Sequence, residues 1–343
     1  MSTLRIGIIG LGGIFRQRHM PGIFGVDDVE VVAVCNRSRE SSEAAAKEYN
    51  IPDVEDSWQS LIARDDLDAV FIGTWPYMHK ELSIAALDTG KHVFCQARMA
   101  MNYEEAQAMY TKSEAAGKVA MLCPVPFGMS VDKAVVRLQK EGTLGQMRLV
   151  RVQSFVDMFA DADAKVNWRK DHRLSGLNMH TLGMYIEVMH RWFGWTKEVS
   201  AQMNIFTHTR PEESGETLTI EVPDQILAHT TMENDTPIEY TVSSAVHNGA
   251  ERIEIYGSKM TLHYDVFKNT LFEVGAKGVL TPIEIRPEEA YNISPWTVEA
   301  EFIRAIREKT SYYPSFHDGL KYMQVVQAMY DSSTSGNRIT LDS

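Results

Sequence analysis

Between Leu4 and Leu122 short β-branched runs alternate with helix-forming stretches, and this alternation constrains the fold more than any other feature of the chain. Residues 4–9, 29–34, 69–73, 93–95 and 119–122 read as strands, and helix-compatible sequence covers 40–49, 58–63, 79–89 and 103–116. Strands spaced this way pair in parallel, with right-handed crossovers placing helices on both faces. Past Pro124 and Pro126 the pattern changes. A helix over 131–141 and the turn Gly142-Thr143-Leu144-Gly145 lead into alternating segments at 148–156, 198–206, 218–220, 226–231, 238–243, 252–256 and 261–264. The fold class is therefore α/β: an N-terminal Rossmann-type parallel sheet over 1–122, then a C-terminal α/β domain over 123–343 with a large, mostly antiparallel open sheet. Amphipathic helices near 297–308 and 319–332 are expected to pack between the domains.

With 343 residues the chain is long enough for about two domains. Its net charge of −12 and scattered basic residues exclude a polyanionic partner such as nucleic acid. No apolar run approaches the ~18 residues of a membrane span, and the start, Met1-Ser2-Thr3-Leu4-Arg5, has no leader pattern. Three cysteines without C-x-x-C spacing fit a reducing compartment, so a cytoplasmic location is expected. The 18 methionines read as core filling.

Gly10-Leu11-Gly12-Gly13 follows the first strand and opens a helix. Glycine there permits a tight turn and lets the backbone approach a pyrophosphate, whose charge meets helix N-terminal amides. The first domain is thus expected to bind a nicotinamide dinucleotide, although Phe15 occupies the third fingerprint position. Where an NAD site usually carries an acid, the chain has Asn36, then Arg37, Ser38 and Arg39. Losing the carboxylate and gaining guanidiniums favours NADP. The alternative is that Asn36 bonds a ribose hydroxyl and the arginines are solvated, which leaves NAD.

Gly10-x-Gly12-Gly13, Thr74-Trp75-Pro76-x-x-His79, Gly90-Lys91-His92-Val93-x-Cys95, Glu141-Gly142-x-Leu144-Gly145, Tyr256-Gly257-Ser258-Lys259 and Asp318-Gly319-Leu320 together resemble the glucose–fructose oxidoreductase / inositol dehydrogenase / MocA (Gfo/Idh/MocA) family. The resemblance spans nearly the whole chain. It implies a sugar, cyclitol or sugar-derived substrate, a homo-oligomer, and a cofactor site made of Gly10, Gly12, Gly13, Ile14, Phe15, Asn36, Arg37, Ser38, Thr74, Trp75, Pro76, His79, Gln96 and Ala97. It also implies substrate contacts from Arg98, Trp168, Arg169, His172 and Thr181.

Two departures bear on the chemistry. Many members read Cys-Glu-Lys-Pro where this chain has Cys95-Gln96-Ala97-Arg98, so the lysine that helps move the substrate proton is Ala97. Arg98 stays protonated near neutrality and suits anion or hydroxyl binding instead. In the helix expected to begin near Asn178, the family's Asp and His slots fall on Thr181 and Tyr185, with His180 about 100° around from Thr181. His180 is expected to exchange the proton, with Tyr185 orienting or relaying. His180-x-x-Gly183 also resembles an element of the branch that uses bound NAD to hydrolyse glycosides. A dehydrogenase, a redox-neutral hydrolase or lyase, and a non-catalytic dinucleotide or sugar sensor all stay open, with the first favoured. No metal is expected, since His172, His180 and His190 lack ligand spacing.

Overall fold

The computed structural model describes residues 3–291 and 296–342; Met1 and Ser2, with which the reading of the chain's start begins, lie outside them. The described chain forms two compact units, residues 3–124 with 296–320 and residues 125–291 with 321–342.

The first unit holds a parallel sheet of β1 (Leu4–Ile9), β2 (Val29–Cys35), β3 (Asp53–Val54), β4 (Ala69–Ile72), β5 (His92–Cys95) and β6 (Ala120–Leu122), in the spatial order β3-β2-β1-β4-β5-β6. Ile6, Ile8, Val34, Phe71, Val93 and Phe94 are fully buried, because helices cover both faces of such a sheet. The order reverses at β1, so the loops after β1 and β4 part and leave a crevice at the strands' carboxyl ends. After β1 the helical stretch divides into a π-helical turn, Phe15–His19, and a short helix, Met20–Phe24. Pro21 has no amide hydrogen to continue a regular helix. The helix Val298–Glu308 belongs to this unit: Phe302 meets Phe71 and Phe94 edge-on at 5.2 and 5.6 Å, and Glu299 meets the buried His19 at 2.5 Å. The helix Phe316–Ser335 runs from this unit into the second.

The second unit is built on nine strands: β7 (Met147–Phe155), β8 (Thr196–Asn204), β11 (Gln225–Met232), β12 (Pro237–Ser243), β13 (Glu251–Gly257), β14 (Thr261–Asp265), β15 (Thr270–Val274), β16 (Leu280–Pro282) and β17 (Ile339–Thr340). All neighbours are antiparallel except β7 and β12. A separate pair, β9 (Thr209–Pro211) and β10 (Thr217–Thr219), stands apart. In β11 and β13 buried residues alternate with less buried ones, as in a sheet with one face covered. The edge strand β16 is exposed throughout and has no apolar alternation to announce it. One helix start is corrected: the helix expected from Asn178 begins at Leu182 and ends at Phe193.

Candidate functional site

Gly10, directly after β1, has φ +87°, which L side chains rarely adopt. A Cβ there would lie 2.8 Å from the Gly73 carbonyl carbon and the Thr74 amide nitrogen, so the turn packs backbone to backbone on the loop after β4. Asn36 fixes the turn from the β2 side. Leu11 N donates to its Oδ1 at 2.7 Å, and its own amide donates to Ser41 O at 3.1 Å. These loops enclose a cavity of about 410 Å³ lined by Gly10, Gly12, Asn36, Arg37, Ser38, Thr74 and Trp75, all expected cofactor residues. Leu11, Arg16, Ser41, Ala44, Gly73 and Tyr77 also line it and were missed. For Ser41 and Ala44 a signal existed, since they stand three apart on one face of the helix that Ser38 caps.

This cavity fits a nicotinamide dinucleotide. Thr74 Oγ1 is buried without a partner, and a Cβ on Gly12 would meet only Gly10 O, at 4.0 Å. Arg37 stands 5.8 Å over the Trp75 ring and, among the described residues, has no carboxylate within ion-pair distance. Arg39 is instead bonded to Glu43 at 2.8 Å and Asp56 at 2.5 Å. Gly10 and Gly12 would present backbone to the pyrophosphate, and Arg37 and Ser38 lie where the adenosine ribose is held in this fold.

Other expected cofactor residues do not line the cavity. Phe15 turns inward, fully buried, with its ring 4.5 Å from His19 and 6.5 Å from Phe71. A Cβ on Gly73 would collide with it, so Phe15 supports the loops from beneath. Gly13, Ile14 and Pro76 sit in the same loops outside the lining. His79 is fully buried, its ring nitrogens facing Thr74 O at 3.0 Å and Arg98 O and Met99 O at 2.9 and 3.1 Å. Burial holds its imidazole below the ordinary histidine range. His79 thus ties the loop after β4 to the loop after β5, where Gln96 Oε1 accepts from Ala97 N at 3.3 Å and Arg98 is buried.

In the second unit the residues before Leu182 form a turn, not a helix. Its centre is His180, partly exposed, with φ +29°. Asn178 holds the turn upstream by donating to Ser175 O at 2.6 Å. Downstream, Thr181 and Ser154 hydroxyls meet at 2.9 Å, and Ser154 donates to Glu251 Oε1 at 2.5 Å. Because the single Ser154 proton goes to the carboxylate, Thr181 is the donor to Ser154. Tyr185 also donates to Glu251 Oε1, at 2.9 Å, from a fully buried ring stacked 5.5 Å from Phe127. Burial, reinforced by the Glu251 charge, raises its hydroxyl well above the ordinary tyrosine range.

The geometry therefore separates His180, at the partly exposed tip of the turn, from Tyr185 and Thr181, which anchor it. The structure brings Thr181 and Tyr185 together through Ser154 and Glu251, which were missed. Glu251 leaves one trace in the sequence: it is an acid in the same inward phase as Ile253 and Ile255 of β13. The Phe159 ring stands edge-on to His180 at 6.3 Å. Trp168 and Arg169 form a stack at 4.4 Å, and His172, at the start of the short helix His172–Ser175, lies 3.7 Å from Glu221.

Residues 4–123 match the Gfo/Idh/MocA family model for the oxidoreductase family with an NAD-binding Rossmann fold, and residues 137–341 match its C-terminal alpha/beta domain. The oxidoreductase domain protein from Kribbella flavida superposes over 100% of both chains with TM-score 0.87 and 26% identity. Levoglucosan dehydrogenase of Pseudarthrobacter phenanthrenivorans is 24% identical over 97% of each chain. Glycosyl hydrolase family 109 protein 1 of Phocaeicola vulgatus is 32% identical over 35% of this chain and 27% of its own. Among the described residues no helix is long and apolar enough to cross a membrane.

Proposed function

The chain belongs to the Gfo/Idh/MocA oxidoreductase family, and from that premise we propose that it is a nicotinamide-dependent dehydrogenase or reductase acting on a hydroxyl or keto carbon of a sugar, cyclitol or sugar derivative. The observation that carries this reading is the cavity between Gly10 and Thr74, with its backbone-lined floor and unpartnered Thr74 hydroxyl. Bound NAD or NADP supplies the hydride acceptor. Gly10 and Gly12 hold the pyrophosphate, and His79 fixes the Thr74 carbonyl. His180 takes the carbinol proton in oxidation and returns it in reduction, since imidazole exchanges protons near neutrality and Ala97 carries no titrating group. Thr181 and Tyr185 orient that turn, while Arg98, Trp168, Arg169 and His172 serve the substrate. The working form is read as a cytoplasmic homo-oligomer; the three cysteines are buried, and among the described residues none forms a disulfide.

The deciding experiment incubates the protein with a panel of sugars, cyclitols and glycosides plus NAD or NADP, following absorbance at 340 nm and glycoside cleavage together. Net reduction of cofactor is expected. A second reading, redox-neutral glycoside cleavage, is favoured by His180-x-x-Gly183 and the partial glycosyl hydrolase likeness; cleavage without net reduction would establish it. Neither signal would leave a dinucleotide sensor. On cofactor choice, NADP is preferred in this reading because Arg37 lacks a carboxylate. Arg37→Ala should weaken NADP by about 1.5–3 kcal/mol and spare NAD, whereas equal losses would remove the preference.

A further inference from the structure

Five basic side chains crowd the segment from Lys165 to Arg173, and four of them face a carboxylate. Lys165 meets Glu213 at 2.7 Å, Lys170 meets Asp224 at 2.5 Å, His172 lies 3.7 Å from Glu221, and Arg173 meets Asp171 and Glu212 at 2.7 and 3.0 Å. Arg169 is the exception. Among the described residues its guanidinium stands 4.4 Å over the Trp168 ring, and no acid or carbonyl bonds to it. The side chain is half-buried, and burial alone pushes its guanidinium below the ordinary arginine range. A stacked aromatic face recovers only part of that desolvation.

Arg210 of β9 is, among the described residues, a second guanidinium without an acid. Arg210 is buried at 1% exposure and donates only to the carbonyls of Phe159, Asp161 and Ala164. It stands 5.7 Å from the centre of the Phe159 ring, whose edge meets His180. Arg169 and Arg210 thus stand without a carboxylate where each neighbouring base has one.

We propose that the substrate carries a fixed negative charge, a carboxylate or a phosphate ester on the sugar, and that Arg169 stacked on Trp168 receives it. The inference rests on the sugar oxidoreductase reading and adds the charge class of the substrate. A guanidinium held over the indole and bonded to no acid keeps N–H donors in a fork that suits either anion.

The test measures binding of D-glucuronate, D-glucose 6-phosphate and D-glucose to the full-length protein with cofactor present, by calorimetry, alongside absorbance at 340 nm. One of the two anions should bind at least about tenfold tighter than glucose, with an advantage that shrinks as salt rises. Whichever wins identifies carboxylate or phosphate. Arg169→Ala should abolish the advantage and Arg169→Lys retain part of it. Unchanged cofactor affinity controls for folding, and Arg169→Gln replaces Arg169→Ala if that variant does not fold. Glucose binding as tightly as both anions, or a preference that survives loss of Arg169, overturns the proposal. If neutral sugars are oxidised without charge preference, this inference fails and the oxidoreductase reading stands. Arg169-dependent anion binding with no sugar oxidised has the opposite meaning.

Discussion

The candidate sites of the two units are built from different material. In the first unit the main chain shapes the cavity: Gly10 at φ +87°, packed on the backbone of Gly73 and Thr74, and Leu11 N bonded to Asn36. In the second unit side chains shape the turn at His180, through the Thr181, Ser154 and Tyr185 hydroxyls and the Glu251 carboxylate. A site made of backbone tolerates almost any residue that leaves the turn intact, and so stays recognisable across a family. A site made of side chains can be rebuilt one substitution at a time. The difference predicts that damage to one site leaves the other intact.

The largest expected effect is His180→Ala, which should lower turnover by about 10²–10⁴-fold, the usual worth of a general acid–base group, with dinucleotide affinity unchanged. Full turnover across pH 6 to 9 on a confirmed substrate would return His180 to a structural role. Gly12→Val reverses the pattern: a side chain placed where backbone meets pyrophosphate should weaken dinucleotide binding by about 100-fold, measured by calorimetry, in a protein that stays folded. Unaltered affinity would mean that the cavity is not the dinucleotide site.

Smaller losses should follow from cutting the anchors of the His180 turn. Tyr185→Phe removes one of the bonds to Glu251 and should lower turnover by about three- to tenfold. Thr181→Val should do the same and Thr181→Ser restore it, with KM for the dinucleotide constant in all three. A loss shared equally by kcat and cofactor affinity would contradict the division between the units.

The smallest effect is on stability. In the first unit burial and the Lys118 charge push His92 from its ordinary 6.5 down to about 4, and in the second burial pushes His190 down to about 3. The unfolded chain takes up these protons first as pH falls, so the stability is complete above pH 6.5 and drains away from there to about 4 for His92 and about 3 for His190. His190→Gln should flatten that loss, seen in urea melts, by about 1–2 kcal/mol, and the more exposed His92→Gln by less. Equal flattening, or none, would show that their surroundings differ less than the geometry indicates.

The same contrast decides what was legible in the sequence. The parallel sheet was legible because its strands are continuous apolar runs, and the glycine turn because its residues stand at short, fixed offsets from β1. The Glu251 cluster joins residues 27, 66 and 97 positions apart, a pairing that no local pattern announces. Phe15 and His79 were readable as belonging to the site's loops but not as lying beneath them, since burial depends on Phe71, His19 and the loop after β5. The left-handed φ of His180 was hidden as well, because glycine usually marks such a turn and histidine does not.

The first unit is an interrupted one: residues 296–320 complete it only after 125–291 have intervened. A ribosome therefore releases β1 to β6 long before Phe302 arrives to cover Phe71 and Phe94, or Glu299 to meet His19. The nascent cofactor domain must wait with that apolar surface uncovered, a state that invites chaperones or aggregation. Stopping translation anywhere between Tyr77 and Phe302 would deprive the dinucleotide-binding half of part of its core, even though every residue lining its cavity had already been made.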